Sequence, residues 1–150
     1  MSTLVAFFSA SGVTEKRAKE LAKAADADLY EIEPAQPYTR ADLNWNDANS
    51  RSSRENNDAS ARPALAGAPV DVAGYDRIYL GFPIWWGIAP KPVNTFIEQN
   101  DLTGKRIYVF ATSGGSGVNA AVNDLRATYP QLDFETGALA NGRVRSDIFA

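Results

Sequence analysis

Two residue types are missing from this chain of 150 residues: it has no cysteine and no histidine. Their absence excludes disulfides, thiolate nucleophiles, Cys/His zinc centres, Ser-His and Cys-His triads, and the side chain that most often moves protons near neutral pH. An excess of positive charge is missing too. Fifteen Lys and Arg stand against 18 Asp and Glu, a net charge of -3, which gives nucleic acid no electrostatic footprint. No apolar run approaches the about 18 residues of a membrane span. The opening Met1-Ser2-Thr3-Leu4 carries no basic stretch before its apolar run, so a cytoplasmic location is expected. A chain so equipped is either a binding module or relies on a cofactor for its reactive atoms.

What is present is a globular composition, 45% hydrophobic and 22% charged. The length suits one domain, expected to span residues 1–150. Leu4-Val5-Ala6-Phe7-Phe8, Ile78-Tyr79-Leu80-Gly81-Phe82 and Ile107-Tyr108-Val109-Phe110-Ala111 are continuous apolar runs, as in strands buried on both faces. Leu29-Tyr30-Glu31-Ile32-Glu33 alternates like an edge strand, and Leu132-Asp133-Phe134-Glu135 is a weaker fifth candidate. Helical spacing lies between them at Thr14–Ala25, Pro92–Gln99 and Val118–Ala127. Strands alternating with amphipathic helices predict an α/β, doubly wound parallel sheet with both faces covered.

Two stretches break this rhythm. Residues 34–69 have few large apolar side chains, yet Tyr38, Leu43 and Trp45 are out of place in a disordered linker; the segment reads as a long ordered loop over one sheet end, with a short helix near Ser53–Asp58. Residues 137–150 lack the spacing of a closing C-terminal helix, which would leave part of one sheet face bare. A dimer partner, the long loop or truncation of the chain would account for that, and self-association as a homodimer is the expectation.

Ligands of an open parallel sheet bind at the carboxyl ends of its strands, near the point where strand order reverses. Three unusual loops occupy those ends. Ser9-Ala10-Ser11-Gly12-Val13-Thr14 runs into a helix; its hydroxyls, curled backbone and helix N-terminus suit a phosphate monoester, although alone it would serve equally as a Ser/Thr cap. It has neither the lysine of a triphosphate loop nor GxGxxG spacing. Phe82-Pro83-Ile84-Trp85-Trp86-Gly87 places two adjacent indoles in a loop, where they cannot both enter the core. At least one should flank a flat conjugated ring, with Gly87 letting main chain come close. Thr112-Ser113-Gly114-Gly115-Ser116-Gly117 offers main-chain donors without bulk. Together they suit an aromatic heterocycle with a single phosphate, and FMN meets that description.

These segments resemble the flavodoxin family. Ser9 to Thr14 is similar to its Ser/Thr-x-Ser/Thr-Gly-x-Thr phosphate loop. Phe82 to Gly87 with Pro90, and Gly104-Lys105 leading to Phe110 to Gly117, are similar to the other two flavin loops of its short bacterial branch. The likeness runs from Leu4 to about Leu125. It implies a flavodoxin-like five-stranded parallel sheet in order 2-1-3-4-5 with FMN at the switch between the first and third strands. By the same resemblance Ser9, Ser11, Gly12, Val13 and Thr14 would hold the phosphate. Trp85 or Trp86 would cover a ring face beside Pro83 and Ile84, and Gly87 would present main chain near the flavin N5. Thr112, Ser113, Gly114, Gly115 and Gly117 would line the pyrimidine side.

The sequence departs from strongly reducing carriers, which surround the flavin with carboxylates: Phe82–Pro90 and Thr112–Gly117 contain none. A negatively charged reduced flavin would be less penalised there, so the potential should be less negative. The expected function is an FMN-dependent reductase taking electrons from NAD(P)H or a reductase protein and passing them to quinones or other small acceptors. The alternatives are a one-electron carrier between protein partners and a non-redox module for another phosphate ligand. No metal site is expected.

Overall fold

The computed structural model describes residues 2–66, 70–113, 117–145 and 147–149. The three apolar runs form the centre of a sheet, as β1 (Ser2–Phe7), β3 (Tyr75–Pro83) and β4 (Arg106–Thr112). The alternating segments become its edges, β2 (Asp28–Glu31) and β5 (Asp133–Leu139). All neighbours pair in parallel, in the order β2-β1-β3-β4-β5.

Successive strand residues point to opposite faces, so an unbroken apolar run feeds two cores. Leu4, Ala6, Ile78, Leu80, Phe82, Ile107 and Val109 join one of them. There they meet Val93, Phe96 and Ile97 of α3 (Lys91–Gln99) and Ala121, Val122 and Leu125 of α4 (Asn119–Thr128). Val5, Phe7, Tyr79 and Phe110 join the other, against Ala18, Leu21 and Ala22 of α1 (Val13–Ala24). The short α2 (Arg51–Asn56) lies in the long loop and is capped by Ser50, whose hydroxyl accepts the Ser53 N–H.

β5 runs four residues past the Glu135 at which the sequence pattern ends. Gly137, which reads as a break, is instead a packing requirement: a Cβ there would lie 2.6 Å from a methyl carbon of Val122 on α4. The 34–69 loop closes on itself at its base, where Ala35 N–H donates to Ala64 O (2.8 Å) and Ala66 N–H to Glu33 O (2.7 Å). It is pinned to α3 by the Arg62–Glu98 ion pair at 2.7 Å. No helix among the described residues is long and apolar enough to cross a membrane.

No helix follows β5 among the described residues; the chain turns back instead and covers the α1 face itself. Val144 is buried there, and Phe149 stacks at 4.9 Å from Tyr79 and 5.2 Å from Tyr108. The Val144 N–H donates to the Glu20 carboxylate of α1 at 3.0 Å. That bond, with the Arg17 guanidinium at 2.9 Å, holds the Glu20 carboxyl below its ordinary value of 4.5.

A carboxylate whose folded pKa is lowered stabilises the structure above its unfolded pKa and loses that contribution as pH falls through the folded one. Amide exchange at Val144 is therefore expected to accelerate as pH drops below about 4.5, beyond its intrinsic pH dependence. In Glu20→Ala, which removes the acceptor, it should already be fast at neutral pH. Equal protection in both proteins at both pH values would remove Glu20 as the clamp.

Candidate functional site

The carboxyl ends of β1, β3 and β4 meet where the sheet order switches, and the loops leaving them enclose a cleft of about 450 Å³. That volume lies within the roughly 300–1,000 Å³ of small-molecule sites. Ser11 and Val13 line it from the first loop and Pro83, Ile84 and Trp85 from the second. Thr112 and Ser113 line it from the third, with Asn141 from beyond β5. No lining side chain among the described residues carries a charge.

The first loop is shaped by Gly12, the residue before α1, whose φ of 90° lies in the left-handed region open to glycine. Its N–H donates to Ser9 Oγ at 3.1 Å, which curls the loop, and Ser9 does not line the cleft. The first N–H groups of α1 have no partner within the helix and carry the positive end of its dipole, an anion-binding arrangement. Thr14 is buried, and its hydroxyl bonds that of Thr112 at 2.8 Å, tying the first loop to the third.

The second loop is a tight turn. Trp85 and Ile88 exchange both backbone hydrogen bonds (3.0 and 3.1 Å) around Trp86 and Gly87, with φ of 49° and 82°. Positive φ at both central residues marks a type I′ turn; the glycine adopts it freely, whereas Trp86 does so under strain. The two indoles diverge. Trp85 is half-buried, edge-on to Phe8 (5.7 Å) and Tyr38 (5.5 Å), and lines both the cleft and a second hollow, whereas Trp86 is 46% exposed and lines the second hollow alone. Of the two expected ring neighbours, only Trp85 lines the strand-end cleft.

Gly87 shapes the turn without lining the cleft, and Gly117 is exposed beyond it. Gly114 and Gly115 lie outside the described residues. Asn141 was not anticipated: its side-chain oxygen accepts the Ser113 N–H at 3.0 Å, bracing the third loop. Extending the fifth strand through Gly137 is the signal that brings it to this end of the sheet.

The long loop reaches the site through Tyr38, which also packs edge-on against Phe8 at 5.6 Å. Arg51 lies 3.8 Å over the Tyr38 ring and pairs with Glu55 at 3.0 Å, and the Tyr38 hydroxyl donates to that same Glu55. Burial, then the Glu55 acceptor, push the Tyr38 hydroxyl far above the ordinary tyrosine range, so it stays a donor. Among the described residues no cluster of acidic side chains could hold a metal ion.

A doubly wound parallel sheet in the order 2-1-3-4-5, with an uncharged cleft and a helix N-terminus at its switch point, defines a flavodoxin-like α/β protein. The chain belongs to the flavodoxin family: the family model described as flavodoxin matches residues 2–150. No curated protein matches the sequence. Solved structures do. It is similar to a flavoprotein of Bacteroides uniformis, with 49% identity and a TM-score of 0.94 over 98% of this chain and 94% of that one. A flavoprotein of Bacteroides eggerthii matches with 47% identity and a TM-score of 0.94 over 97% and 91%. A flavoprotein of Lactobacillus acidophilus solved in complex with FMN shares the fold, with 24% identity and a TM-score of 0.76 over 93% of each chain.

Proposed function

We propose that this protein binds FMN in the strand-end cleft and uses it to reduce small acceptors such as quinones, drawing electrons from NAD(P)H or a reductase protein. The observation that carries this reading is the cleft itself, uncharged and set between a helix-start anion site and the Trp85 ring at the β1/β3 switch. The donor set fits the group: Ser11, Thr14 and the first N–H groups of α1 suit its phosphate, Pro83, Ile84 and Trp85 its ring, and Thr112 and Ser113 its polar edge. When bound, FMN would supply hydride and single-electron transfer. This chain's part is to hold the group, exclude water with Ile84 and Trp85, and keep carboxylates away. The missing carboxylates favour a less negative potential than in acid-rimmed sites.

Purified protein mixed with FMN is expected to keep the flavin absorbance bands through gel filtration, at about one flavin per chain, and to oxidise NADH or NADPH when a quinone is added. A colourless eluate overturns the reading. Turnover only after a reductase protein is added would make the molecule a carrier.

A further inference from the structure

The second hollow adjoins the strand-end cleft, and Ile84 and Trp85 line both. It measures about 250 Å³ and is completed by Leu43, Trp45 and Ser52 of the long loop and by Trp86. An apolar cavity of about 150 Å³ accepts one benzene ring, so this open-sided one has room for one or two fused rings. Five of its six lining residues are aromatic or aliphatic, and none is charged. Its polar group is the buried Ser52, whose backbone N–H is already bonded to Asp42 O at 3.0 Å.

The wall on the loop side is held in place. Arg51 Nη1 donates to Gln36 O at 2.6 Å, Tyr38 joins Glu55, and the Ser50 cap fixes the turn that carries Ser52. The mouth is unusual in the opposite sense. Trp45 is 69% and Trp86 46% exposed, so two indole faces are kept in water, one of them on a strained backbone. Stacking on a flat partner would bury part of each exposed indole face with little rotamer entropy lost.

We propose that this hollow seats the small acceptor, and that the acceptor class is a planar, uncharged ring system of one or two fused rings held between Trp45 and Trp86. As an acceptor site it rests on the flavin reading of the neighbouring cleft; as a binding site it stands on the hollow's own shape and charge. An uncharged ring is specified because no lining group repays the desolvation of an ionised one.

The three tryptophans give three indole N–H signals, and the absence of cysteine removes the thiols that a quinone would alkylate. Titrating 1,4-naphthoquinone into the FMN-treated protein, followed by ¹H–¹⁵N spectra, is expected to shift the Trp45 and Trp86 signals saturably. Trp45→Ala should weaken this binding about tenfold or more and leave FMN retention unchanged, with Trp45→Phe restoring most of it. The 2-sulfonate of the same quinone should bind at least about tenfold more weakly. Retained FMN with no saturable shift, shifts confined to Thr112, Ser113 and Asn141, or wild-type binding in Trp45→Ala would each overturn the proposal. Loss of FMN retention with the Trp45 and Trp86 shifts intact would instead sink the flavin reading and leave the ring site standing.

Discussion

Gly12→Asp is expected to lower FMN affinity about a hundredfold or more while the protein still folds. Aspartate tolerates left-handed backbone better than most residues and suits a helix start, so the cost to stability is small. The same carboxylate would stand where the phosphate must bind, next to the free N–H groups of α1. At an effective dielectric of about 20, repulsion between unit charges some 6 Å apart is about 3 kcal/mol. That amounts to roughly two powers of ten in affinity. Riboflavin, which has the ring without the phosphate, serves as the control. Its affinity should fall far less, as fluorescence titration of both ligands would reveal. An equal fall for both would place the phosphate elsewhere.

The second large effect concerns stability. Gly81 of β3 stands opposite Phe110 of β4 in the parallel register, and the Phe110 ring fills the space that a side chain at 81 would need. An added Cβ would lie 2.1 Å from Phe110 Cζ and 2.3 Å from Cε2. The ring is fully buried, so it can move only by disturbing Val5, Phe7 and Tyr79 in the same cluster. Gly81→Ala is expected to cost about 3 kcal/mol, at the upper end of overpacking penalties. For a domain of this size that is roughly 6–12 °C in Tm. Phe110→Leu alone should also destabilise, through the ring atoms it removes from a packed core, and the double variant should lose less than the sum of the two, a coupling that denaturant melts of all four proteins would measure. A wild-type Tm for Gly81→Ala would mean that the ring relocates freely.

The strands with continuous apolar runs and the helices with 3.6-residue spacing were legible because each period is local. Ser11, Val13, Pro83, Ile84, Trp85, Thr112 and Ser113 were legible as a group because a parallel sheet gathers the ends of its strands at one edge. Asn141 was not, since Gly137 looks like a break until α4 is seen to pack against it. The division of labour between Trp85 and Trp86 was equally hidden. Adjacent residues must diverge, but the side each one takes depends on the turn formed by Trp86 and Gly87 and on the Tyr38 and Phe8 rings that receive Trp85.

By itself, then, the sequence determined which chemistry this protein's side chains could not perform, where its buried strands run and which loops face the switch point. Those depend on composition and on repeats a few residues long. Only the tertiary structure decided that the last residues cover the α1 face through Phe149 and the Glu20–Val144 bond, and that the 34–69 loop builds a second hollow against the first. Both join segments far apart in the chain. Such contacts are selected by the space that the rest of the fold leaves, and no local period records that space.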